Sequence, residues 1–132
     1  MRDLSQRSGL WTGMSVQMPR RVMERIDLHI CGTQLVGTGE DVDGDFLLDG
    51  VYDPATRRVE IARRYTRTTR HLEFDPSLVS FQYEGIWDGQ MITGTWYESF
   101  NEVNTGPFEM WPSDEEVAVL ELEFSELTAQ AT

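Results

Sequence analysis

The sequence predicts an all-β protein: an up-and-down antiparallel β-barrel of eight strands, or nine counting a short closing segment. Three observations carry this. Alternating strand-like runs recur along the whole chain, separated by Gly, Pro, Asp and Asn turn signals. Several hairpins can be paired on paper, and each pairing puts apolar residues opposite apolar residues. Glycines 37, 39, 50, 85 and 94 all fall on the same face as those apolar residues, where glycine relieves crowding in a small barrel or lets a ring lie against the backbone.

The strand-like runs are 10–17, 23–31, 34–40, 45–53, 57–65, 69–75, 78–87, 90–98 and 106–111. Breaks fall at Pro19, Gly32, Asp43-Gly44, Asp53-Pro54, Asp75-Pro76, Asp88-Gly89 and Gly106-Pro107. A two-residue turn at Gly32-Thr33 sets Ile30 opposite Leu35, Leu28 opposite Gly37 and Ile26 opposite Gly39. A four-residue loop from Pro54 to Arg57 sets Tyr52 opposite Val59, Gly50 opposite Ile61, Leu48 opposite Arg63 and Phe46 opposite Tyr65. Asp88-Gly89 between two alternating runs is a strong hairpin signal, because both turn positions need φ > 0. A two-residue turn there sets Trp87 opposite Gln90, Gly85 opposite Ile92, Tyr83 opposite Gly94 and Phe81 opposite Trp96. Facing residues share a side of the sheet, so the inner face holds Phe46, Arg63, Tyr65, Phe81, Tyr83, Trp87 and Trp96.

The chain reads as a single domain, 1–132, with the barrel over 9–112 and an acidic segment over 113–132. Ser113 with Glu116 forms a capping-box pattern, and Val117, Leu120, Phe124 and Leu127 have helical spacing. Leu120, Leu122 and Phe124 also alternate as a strand would; the helix is the preferred reading. The formal net charge of −12 argues against nucleic-acid binding, which draws on a basic surface. No run approaches the ~20 apolar residues of a membrane span. The first eight residues lack the apolar stretch of a secretory signal, and Cys31 is the single cysteine, so the expected location is the cytoplasm. Arg57, Arg58, Arg63, Arg64, Arg67 and Arg70 crowd one stretch, while the last twenty residues carry six acids and no base. That asymmetry allows pairing with another protein or with a second copy as a homodimer.

The first strand opens Gly9-Leu10-Trp11, and Gly94-Thr95-Trp96 and Gly106-Pro107-Phe108-Glu109-Met110-Trp111 follow. On these residues the chain resembles the calycin superfamily of lipocalins, fatty-acid-binding proteins and avidins, particularly small bacterial barrels of this kind. It is similar also to the barrel domain that some F-box proteins use for substrate recognition. The resemblance covers residues 9–112 and implies that Trp11 plugs one end of the barrel. After Trp11 come Thr12-Gly13, where biotin binders have Thr-Asn, so biotin is not the expected ligand.

With Trp11 at the plugged end, strand alternation puts the turns near 18–22, 40–45, 66–69 and 88–89 at the open mouth. A ligand enters a barrel of this size at that mouth. Phe46, Tyr65, Trp87 and Arg70 are expected near it, with Arg63 and Tyr83 deeper and Phe81 and Trp96 on the same inner face. An inward arginine needs an acid or an anionic ligand. One reading is an apolar, arginine-gated pocket for a hydrophobic, anionic small molecule. The other is an internal salt bridge, for example Arg63 with Glu98, or an outward Arg63. A cofactor-free cyclase or isomerase is the alternative function, acting on a polyene or polyketide-like substrate. There Tyr65, Tyr83 or Glu98 would be acid or base, and Arg63 would stabilise negative charge.

No cofactor is implied. Asp41-x-Asp43-x-Asp45 has the look of a calcium loop, but Phe46 and Tyr52 stand where an EF-hand needs glycine and glutamate, so it reads as a solvated turn. His29 and His71 are isolated and outward, and no metal site is expected.

Overall fold

The computed structural model describes residues 3–68 and 80–113. Eight antiparallel strands close into one barrel in chain order. They are β1 (Gly9–Gln17), β2 (Arg20–Cys31), β3 (Gln34–Asp41), β4 (Gly44–Asp53), β5 (Arg58–Thr68), β6 (Ser80–Trp87), β7 (Ile92–Glu98) and β8 (Asn101–Pro112). A 3-10 turn, Leu4–Gln6, precedes β1, with the Asp3 carboxylate accepting from the Ser5 amide. Alternation decides the faces. In β2, Val22, Glu24, Ile26, Leu28 and Ile30 are buried and the residues between them are exposed. The described strand β8 pairs with both β7 and β1, so the described barrel has no open edge.

Two of the predicted registers hold. Ile30 pairs with Leu35, Leu28 with Gly37 and Ile26 with Gly39. Tyr52 pairs with Val59, Gly50 with Ile61, Leu48 with Arg63 and Phe46 with Tyr65. The loop from Pro54 to Arg57 closes through the Arg57 amide, which donates to the Asp53 carbonyl over 2.7 Å.

The Asp88-Gly89 register is different. The connection has four residues, 88–91, so Trp87 pairs with Ile92, Gly85 with Gly94, Tyr83 with Trp96 and Phe81 with Glu98. The cause is the Asp88 side chain. Its Oδ1 accepts from the amides of Gln90 and Met91, both at 2.8 Å, which builds a wider loop than a two-residue turn. The slip is two residues, so every side chain keeps its predicted face.

The count of eight also corrects one end assignment. The run 69–75, which includes Arg70, and the C-terminal residues 114–132 lie outside the described residues, so the helix reading of the tail does too. Strand β5 pairs directly with β6. The 88–91 loop therefore lies at the end where β1 begins, with Trp11, and not at the mouth. Trp87 is fully buried there, its ring 5.8 Å from Trp11. Trp11 donates through Nε1 to the Arg7 carbonyl at 2.8 Å, and Leu4 is buried in the same core. The half of the barrel at this end is apolar: Leu28, Leu35, Val59, Ile61, Ile92 and Met110 join the two tryptophans. The opposite end carries the turns at 18–19, 42–43 and 99–100. Among the described residues no helix is long and apolar enough to cross a membrane.

Candidate functional site

The mouth half of the barrel holds a buried charged cluster centred on Arg63. Register puts this side chain inside: Arg63 lies between Ile61 and Tyr65 on β5 and opposite Leu48. It is 2% exposed. Nη1 donates to Glu24 Oε1 at 2.5 Å and to the Tyr83 hydroxyl at 2.8 Å. Nη2 donates to Asp41 Oδ2 at 2.5 Å and to the Tyr65 hydroxyl at 2.7 Å. Tyr65 in turn donates to Asp41 Oδ2, and Ser15 donates to Glu24 Oε1. The guanidinium stacks on Phe46, its carbon 3.7 Å from the ring centroid.

Local sequence makes room for this cluster. Gly13 faces Glu24 across β1 and β2, where a Cβ would come within 2.8 Å of Glu24 Oε2. Gly39 lets the Phe46 ring lie against the β3 backbone, where a Cβ would sit 2.4 Å from that ring. From Phe46 an edge-to-face ladder runs through Tyr65 and Phe81 to Trp96, with ring spacings of 5.8, 6.1 and 6.1 Å. Tyr65 and Phe81 are only partly buried. Trp96 anchors the ladder by donating to the Val16 carbonyl.

The electrostatics follow from burial. Burial pushes the Glu24 carboxyl above its usual range, and the neighbouring Arg63 only partly offsets this. Burial likewise pushes the hydroxyls of Tyr65 and Tyr83 upward against the pull of Arg63, so both stay protonated. Burial opposes the Arg63 charge, but the surrounding Tyr83, Glu24 and Tyr65 outweigh it and the guanidinium stays charged.

The interior thus holds all seven residues expected on the inner face: Phe46, Arg63, Tyr65, Phe81, Tyr83, Trp87 and Trp96. Trp87 is inside but at the plugged end, away from the cluster. Glu98 is not the partner of Arg63; it pairs across the sheet with Phe81 and accepts from Asn104 Nδ2 at 2.8 Å. Arg63 is met instead by Glu24, which was not among the expected site residues, and by Asp41, which was expected in a solvated turn. Their signal was present. Glu24 shares the parity of Ile26 and Leu28, and Asp41 shares that of Gly37 and Gly39. Asp41 is also no solvated turn residue. Its side chain is buried, with Oδ1 accepting from the amides of Asp43 and Gly44 and Oδ2 facing Arg63. Asp43 pairs with Arg20 and Asp45 with Arg67, so the three acids do not converge. His29 is exposed beside Asp27.

Clefts lie on the outer surface. One of about 680 Å³ runs over β3, β4 and β5 and includes Val36, Leu47, Asp49 and Arg64. Another of about 600 Å³ surrounds Phe100 and Val103 at the mouth-end β7–β8 turn. Neither gathers groups comparable to the Arg63 cluster. No family model, curated protein or solved structure matches this chain.

Proposed function

We propose that this protein is a small-molecule-binding barrel of the calycin kind, holding a largely apolar ligand in the mouth half of the barrel above Arg63. The observation that carries the reading is the buried Arg63–Glu24–Asp41 cluster itself. A buried ion group is a poor way to stabilise a fold, since apolar residues of similar volume do as well or better. The plugged half is packed with just such residues, so the chain fills a barrel without charges where stability alone is at stake. Charge retained beneath a ladder of aromatic rings suits recognition of a bound molecule. The free, exposed Cys31 suits a reducing, cytoplasmic setting.

The anionic ligand expected from an inward arginine fits less well. Glu24 and Asp41 already occupy the Arg63 guanidinium, so a ligand carboxylate would compete with both. The arginine acts here as the organiser of a polar floor.

The test is binding of a neutral apolar dye, Nile red. The wild-type protein should raise its emission saturably. Phe81→Glu, which places a charge on the aromatic ladder, should abolish this with the circular dichroism unchanged. No enhancement by the wild-type protein would sink the reading.

One observation favours a cofactor-free cyclase or isomerase as the second reading. A carboxyl that burial holds toward its protonated form, Glu24, sits with the Tyr83 hydroxyl around one guanidinium, which is an acid beside an electrophilic clamp. Turnover of a polyene or polyketide-like substrate that falls on both Glu24→Gln and Tyr83→Phe would establish it.

A further inference from the structure

An arginine side chain carries five N–H donors in a fixed planar fork. Four of those of Arg63 are used, by Glu24, Tyr83, Asp41 and Tyr65. The fifth, on Nε, is buried without a hydrogen-bond partner. The neighbouring Tyr83 hydroxyl accepts from Nη1, and its own proton has no acceptor among the described residues. Native interiors leave few such donors unmatched, and each asks for a partner. The acceptor atoms turned toward the guanidinium are already engaged: Asp41 Oδ2 by Nη2 and Tyr65, and Glu24 Oε1 by Nη1 and Ser15, while Asp41 Oδ1 serves the turn and Glu24 Oε2 lies against Gly13 of β1.

What is missing is therefore an oxygen acceptor, and the charge balance decides its kind. The one guanidinium is already matched by the carboxyl groups of Asp41 and Glu24, so an added anion would find no unmatched cation in a low-dielectric site. A cation would have to approach Arg63 itself. A neutral carbonyl oxygen meets neither penalty. The flat Phe46, Tyr65, Phe81 and Trp96 rings suit an apolar body around it.

Resting on the ligand-barrel reading above, we infer that Arg63 Nε–H is the recognition donor for a neutral carbonyl oxygen, a ketone, ester or amide, on an otherwise apolar ligand, with the Tyr83 hydroxyl proton as a second donor. The anion-gripping role expected of this arginine is replaced by a neutral one.

Three matched probes test it: cyclooctanone, cyclooctane and cyclooctanecarboxylate, titrated into the full chain while the Arg63 Nε–H resonance is followed by proton–nitrogen NMR. Cyclooctanone should bind about tenfold tighter than the other two and move that resonance downfield. Tyr83→Phe, which keeps the ring, should cut the ketone preference several-fold and leave cyclooctane binding unchanged. Equal binding of ketone and alkane, with the resonance unmoved, overturns this inference and leaves the barrel reading standing. Tightest binding by the carboxylate also overturns it and restores the anionic ligand. Binding of none of the three overturns both.

Discussion

Arg63 and its partners show how one side chain can be legible in sequence while its environment is not. Its inward direction followed from the β4–β5 register. Its partners did not, because they come from β2 and β3, whose distance across a closed barrel is not written in any local pattern. The energetic consequence is direct. Arg63→Met leaves Glu24 and Asp41 buried without their cation and should cost about 3–5 kcal/mol at neutral pH. Adding Glu24→Gln and Asp41→Asn should return most of that loss, as urea unfolding would show. Glu24 also sets a pH dependence. Its folded-state pKa is raised above the ordinary 4.5. Its contribution to stability is thus fully present below about 4.5 and is lost as pH climbs through the raised folded value. Glu24→Gln should remove that downward slope when unfolding free energies are compared from pH 4 to pH 8.

At the scale of the element, turn chemistry separated what could be read from what could not. Gly32-Thr33 and the loop from Pro54 to Arg57 gave the true registers because their lengths were unambiguous. Asp88-Gly89 gave the right faces and a pairing displaced by two residues, because the Asp88 carboxylate caps two amides and widens the loop. Gly89 has φ +100°, so Gly89→Ala should destabilise the protein by about 1–2 kcal/mol. Gly39→Ala tests a different constraint, the close approach of Phe46 to β3. It should cost about 1–3 kcal/mol through overpacking and shift the Phe46 ring from under Arg63. A changed aromatic near-ultraviolet circular dichroism signal with the far-ultraviolet signal retained would report that shift. Trp87 lies inside at the plugged end and not near the mouth for a simpler reason: β5 pairs directly with β6, and counting the 69–75 run as one more barrel strand inverts every later loop.

Across the whole molecule, the architecture was the most legible feature, since alternation, turn spacing and inner glycines all pointed to a closed antiparallel barrel. The division of its interior was not. Nothing in composition separates an apolar half around Trp11 and Trp87 from a charged half around Arg63; only the three-dimensional closure brings Ser15, Glu24, Asp41, Arg63, Tyr65 and Tyr83 together. That division is the basis of the functional reading, and it can be checked at the same scale. Solution mass with and without residues 113–132 addresses the alternative that the acidic segment joins copies of the chain; a mass that halves on truncation would support a homodimer held by that segment. The central claim is that the mouth half holds a small molecule, and native mass spectrometry of the gently purified protein tests it most directly. A discrete added mass is expected, lost on denaturation, recovered in the extract, and absent from Phe81→Glu. A clean protein mass, unchanged after incubation with cyclooctanone, would contradict it.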